Sequence, residues 1–202
     1  MRSLLPRLDT GNVTQAARGG VLLALRRFVE DRRGIGAIEF AIVAPLLVMA
    51  YVGAFEISVA VTVSRKVQRA SSTVSDLLTQ TATTNKATID TMKEVAKHVL
   101  APFSIQGYSM KITGIAVAAD GKATVAWSRD SNAGTPYPAG TVITLPATLE
   151  AKNTFIVRTE LVVPHNVLLM MPTLSSRLNQ IDLSKTSYFR QRKGDKIDCT
   201  DC

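Results

Sequence analysis

Apolar residues run almost without a break from Ala37 to Val63, and only Glu39 and Glu56 interrupt them. About 27 residues at ~1.5 Å each make a helix of roughly 40 Å, and a bilayer asks for ~20 apolar residues. The run therefore predicts a membrane-spanning helix over 35–63, with Pro45 as a local kink. Past Val63 the pattern thins to a stripe. Val63, Val67, Ala70, Val74 and Leu77 recur at three- and four-residue steps, with Arg, Gln, Ser and Asp between them, so the helix is expected to continue into water. The polar stretch Thr79–Asn85 reads as a break. Ile89, Met92, Val95, Ala96, Val99 and Leu100 mark a second amphipathic helix, ended by Pro102. The period then changes to two. Residues 110–117 and 123–127 read as strands joined by a two-residue Asp120-Gly121 turn. Residues 130–140 read as a loop, 145–151 as one helical turn opened by a proline, and 154–163 as a third strand stopped at Pro164. The fold class expected is α+β: a single N-terminal transmembrane helix extending into amphipathic helices packed on a small antiparallel sheet. The organisation expected is a basic leader over 1–34, the span over 35–63, a helix-plus-sheet domain over 64–171, and a polar, basic, loosely held tail over 172–202, with Tyr188 and Phe189 as its docking points.

Charge sharpens the topology. The chain has 202 residues and a net charge of +8. Half of that excess lies in residues 1–34, where seven Arg face three acids; residues 18–28 there suit a short amphipathic turn as well as a disordered tail. No dense basic stripe with interleaved aromatics follows, which argues against nucleic-acid binding. Arg26, Arg27, Arg32 and Arg33 instead precede the span and, by the positive-inside rule, place the N-terminus in the cytoplasm, although Arg65, Lys66 and Arg69 follow it. A secretory signal peptide cut near Ser58-Val59-Ala60 is the rival reading, but its apolar core would be only 7–15 residues long.

The junction Arg32-Arg33-Gly34-Ile35-Gly36-Ala37-Ile38-Glu39-Phe40 carries the chemistry. A carboxylate inside an apolar helix costs roughly 2.5–3.5 kcal/mol near the bilayer centre and less toward the interface. A glycine followed at the fifth position by glutamate resembles the type IV prepilin processing site. The longer string from Arg32 through Ala44-Pro45-Leu46-Leu47 resembles the TadE/TadG-like family, pseudopilin-like proteins of tight-adherence (Flp) pilus systems. Ser64–Ala70 and Ser75–Leu78 are similar to the helix extension of such proteins. The resemblance implies a membrane aspartic peptidase that cuts after Gly34, a mature chain starting at Ile35, and a Glu39 that neutralises the N-terminal amine of a neighbouring subunit. Arg32 and Arg33 would hold the site at the cytoplasmic face. Otherwise, Glu39 is a carboxylate snorkelling to the headgroups, Gly34 an ordinary helix-start glycine, and the arginines plain topology signals.

Other candidates are weaker. Ala37, Ala41 and Ala44 form a small-residue ridge suited to close helix packing, or a coincidence in an alanine-rich segment. Glu56 is on a different face from Glu39 and reads as interfacial. Cys199 and Cys202 suit a local disulfide in an oxidising compartment, with free or partner-linked thiols as alternatives. They lack a second ligand pair for zinc, so no metal is expected. His98 and His165 read as structural. With no phosphate loop, zinc-protease motif or carboxylate dyad, the chain reads as no enzyme and as needing no cofactor. The function implied is that of a minor pseudopilin in the bacterial inner membrane, with its C-terminal domain in the periplasm, assembling or anchoring a Flp pilus. Its partners would be other pilins, the assembly platform, the prepilin peptidase and the bilayer. The alternative is a signal-anchored periplasmic binding or envelope protein whose helix is only a tether.

Overall fold

A computed structural model describes residues 34–103, 106–149, 152–167 and 180–202. The chain divides into two units, Met1–Tyr51 and Val52–Cys202. Its elements are helix α1 (Ile35–Thr79), strand β1 (Thr83–Thr84), helix α2 (Lys86–Leu100), β2 (Ser109–Val117), β3 (Ala123–Asp130), a single 3-10 turn (Ala147–Leu149), β4 (Thr154–Asn166), β5 (Gln180–Arg190) and β6 (Asp198–Cys199). This is the expected α+β class, a long apolar N-terminal helix with a further helix and a small antiparallel sheet. The expected leader, apart from Gly34, lies outside the described residues, as do 150–151 and 172–179.

The main sheet has the order β3-β2-β4-β5, antiparallel throughout. One face carries Met110, Ile112, Trp127, Phe155, Val157, Leu161 and Val163, which pack with Val63, Val67, Ala70, Val74 and Leu78 of α1 and with Ile89, Ala96 and Leu100 of α2. Burying each large aliphatic side chain is worth about 1.5–3 kcal/mol, so this face carries most of the domain's stability. The helical stripe is the one the sequence predicts, except at its end. Leu77 is 39% exposed and Leu78 is 2% exposed, because the four-residue step from Val74 ends on Leu78. Ser71 and Ser75, which the pattern leaves among the solvent-facing positions, are fully buried. Ser71 Oγ donates to the Thr159 carbonyl at 2.9 Å and Ser75 Oγ to Thr159 Oγ1 at 2.7 Å, which satisfies both hydroxyls against β4.

Three strand expectations change. The β2–β3 connection is wider than a two-residue turn: Gly121 N donates to Ala118 O and Ala118 N to Lys122 O, with only Gly121 at positive φ. That is the three-residue hairpin loop, a turn through Ala119 and Asp120 followed by a left-handed glycine that forms a bulge. The third strand does not stop at Pro164 but continues to Asn166. Pairing with β2 ends at Ser109↔Val162, so Pro164 has a neighbouring strand on one side only, where a missing N–H is tolerated. The stretch 180–190 is no loose tail but a fourth strand, in register with β4 from Asn166↔Gln180 to Ile156↔Arg190. It is an edge strand of mostly polar residues, held by Leu183 on the helix-facing core and Tyr188 on the other.

Between α2 and β3, Arg129 grips Asp90 with two hydrogen bonds, Nε to Oδ1 and Nη2 to Oδ2, both 2.6 Å. The hydrogen bonding from Arg129 holds the Asp90 carboxyl below its usual range; burial opposes this, and the positive charges of Arg129, Lys93 and Lys86 add to it. A lowered folded-state pKa gives stability that is present above the unfolded-state pKa and lost as pH falls through the folded one. Asp90→Asn is expected to cost about 1 kcal/mol at neutral pH. In urea melts, the gap from wild type should close as pH drops below the ordinary carboxylate range. A gap that stays constant into acid would show that the charge contributes nothing.

Candidate functional site

The residues of the candidate processing site stand at the start of α1. Gly34 immediately precedes the helix, and every residue from Gly34 to Val43 is exposed. Ile35 is 47% exposed. A Cβ placed on Gly34 or Gly36 meets no atom within 4 Å, and neither glycine has positive φ. Nothing among the described residues therefore requires glycine at 34. Ile35 and Glu39 are four residues apart and share one helical face. Ala37, Ala41 and Ala44 cluster on the opposite face, about 180° away at 100° per residue. The helix thus presents two distinct faces to its surroundings, one with a carboxylate and one with small side chains. Arg32 and Arg33 lie outside the described residues.

Between Ile35 and Phe55, Glu39 is the one charged residue. Large apolar side chains, among them Ile38, Phe40, Ile42, Leu46, Leu47, Val48 and Phe55, are exposed all round this stretch. A helix apolar on every side and left uncovered by the described residues needs a lipid or protein environment. Among the described residues α1 is the one helix long and apolar enough to cross a membrane. Glu56, which the sequence places at the interface, is 8% exposed.

The other candidates do not come together as a reaction centre. His98 is exposed in the last turn of α2, whereas His165 lies near the end of β4 beside Phe103, Gln106 and Gln180. Cys199 and Cys202 are bonded to each other. With Asp201 they form a tight trio of metal-ligand types, but bonded sulfurs have no thiolate to offer a metal. Asp201, which no motif marks, accepts the backbone N–H of Lys86 at 2.7 Å through Oδ1. No local signal connects residues 115 positions apart.

Residues 34–76 match the family model described as TadE-like protein. No curated protein and no solved structure matches the chain. The matched stretch starts at Gly34, includes Ile35, Glu39 and the alanine ridge, and runs down α1 through the part that packs on the sheet. Residues 34–76 are thus similar to TadE-like proteins, a match that supports an association with a Tad pilus.

Proposed function

We propose that the chain is a minor pseudopilin-like protein that assembles or anchors a Flp pilus used for surface adhesion. The observation that carries this reading is the TadE-like match opening on a glycine that meets no described atom through an added Cβ, five residues before the one charge of the exposed apolar stretch from Ile35 to Phe55. In this reading a prepilin peptidase hydrolyses the Gly34–Ile35 bond at the cytoplasmic face of the inner membrane. Water adds across the bond, which leaves a carboxylate on Gly34 and a free amine on Ile35. The amine and Glu39 share a face, so a neighbouring subunit can exchange amine for carboxylate with this one. Pairing two opposite charges in lipid removes much of the cost of each. The alanine ridge on the other face allows a second helix to approach closely. The domain from α2 to β6 would stand in the periplasm and contact other pilins and the assembly platform.

Glu39→Ala tests this pairing. The variant is expected to enter the membrane as well as wild type, since it removes a charge from an apolar helix. Piliation should fall at least tenfold, scored by electron microscopy and by surface attachment. Normal pili on cells carrying only Glu39→Ala would remove the mechanism.

A further inference from the structure

The C-terminal residues form a clasp at the start of α2. β6 lies parallel to β1, with Thr83↔Asp198 and Thr84↔Cys199 in register. Asp198 N donates to Ala82 O at 3.2 Å, and Thr200 N to Thr84 O at 3.1 Å. The next residue, Asp201, accepts the Lys86 N–H, while Asn85 Oδ1 accepts from Thr88 N at 2.7 Å. The first turn of a helix leaves backbone N–H groups without partners inside the helix. Here one is capped locally by Asn85 and another by a carboxylate from the far end of the sequence.

Asp201 is exposed, so its hydrogen bond competes with water, and a two-residue strand is a weak tether for it. The Cys199–Cys202 bond closes a ring around Thr200 and Asp201 and restricts where that carboxylate can go. Cys202 is exposed and Cys199 partly so, which leaves the bond open to exchange. We infer that the Cys199–Cys202 disulfide is an oxidative latch for α2, closed by a thiol–disulfide exchange partner, and that it works by holding Asp201 on the Lys86 N–H. Closing it forms one S–S bond. The two thiols give up two electrons and two protons to the partner's disulfide, which leaves as a dithiol by way of a mixed disulfide. A dithiol reductant reverses the step. The latch does not depend on the pilus reading.

The release should be local. Ile197 is buried and its carbonyl accepts the Trp127 indole N–H at 2.9 Å, so the chain just before the clasp is anchored independently. Arg192 N also donates to Thr79 O at 3.1 Å. Opening the disulfide therefore frees Asp201 and the Lys86 N–H it caps, while Asn85 still holds Thr88 N and the core stays closed.

Amide hydrogen exchange of the full chain in micelles, with and without a dithiol reductant, tests this. Reduction is expected to lower Lys86 protection about fivefold, the size of losing a cap, with amides of β4 unchanged. Asp201→Ala in the oxidised protein should show the same loss, and reduction should add nothing to it. The double variant Cys199→Ser/Cys202→Ser should match the reduced wild type, which covers a bond that the reductant fails to reach. Unchanged Lys86 protection in both the reduced protein and the serine variant would overturn the latch. So would losses from reduction and from Asp201→Ala that add, or two free thiols in protein prepared under oxidising conditions.

Discussion

Gly34→Leu will leave the chain uncut in membranes where the wild-type protein starts at Ile35. The argument rests on what leucine does not disturb. A Cβ at Gly34 meets no atom within 4 Å, and the position has no positive φ, so the substitution strains nothing in the described chain. Leucine is also a good helix former at the edge of an apolar helix. Insertion and folding should be unchanged, and the difference falls on the peptidase. A subsite shaped for glycine has no room for four added carbons, and steric exclusion of this kind should slow cleavage at least ~100-fold. N-terminal sequencing and intact mass of protein isolated from membranes read the outcome directly. A Gly34→Leu protein that still begins at Ile35 would show that the glycine is not what the peptidase reads. A wild-type protein with Met1 intact would leave α1 as an anchor without processing. A wild-type start near Val61 would mean signal-peptide cleavage, and the pseudopilin reading would fail.

How far the sequence reaches depends on how local the signal is. The stripe Val63, Val67, Ala70, Val74 is legible because a helix repeats its face every three or four residues. Ser71 and Ser75 are not, because their burial is made possible by Thr159, 84 to 88 positions away. β5 hides for a related reason. An edge strand is burdened on one side only and keeps polar residues, so Gln180–Arg190 has the composition of a tail and shows its alternation only once β4 is beside it. In β3, register pairs Gly114 with Trp127 but Ile115 with Val125, so Ala126 is an extra residue that turns Val125 and Trp127 to opposite faces. No alternation rule survives that insertion. At the candidate site the balance reverses. Gly34 and Glu39 form a short motif that is legible in one dimension, and the structure adds that no described residue packs on the glycine and that Glu39 and the alanine ridge face opposite ways.

Gly114→Ala will destabilise the domain by about 2–4 kcal/mol, although alanine ordinarily stabilises a strand relative to glycine. Gly114 sits mid-strand in β2, between Trp127 of β3 and Val157 of β4. A Cβ there would overlap the Trp127 indole and come within 2.7 Å of Phe155 Cζ. Neither ring has an easy retreat. Trp127 is 5% exposed, its centroid lies 6.3 Å from that of Phe155, and its N–H is committed to the Ile197 carbonyl. Overpacking of a closed core costs about 1–3 kcal/mol, and an indole pushed off its acceptor adds about 1 kcal/mol. Against a total stability of about 5–15 kcal/mol the loss is large, and Gly114→Val should leave little folded protein. Urea unfolding followed by far-ultraviolet circular dichroism, a probe that survives the loss of the single tryptophan, measures the alanine variant. A double-mutant cycle with Trp127→Leu identifies the cause: removing the indole opens the space, so alanine should cost at least about 1 kcal/mol less in that background. Gly114→Ala within about 0.5 kcal/mol of wild type would mean that the indole does not rest on the bare backbone of β2, and full additivity in the cycle would assign the loss to something other than Trp127.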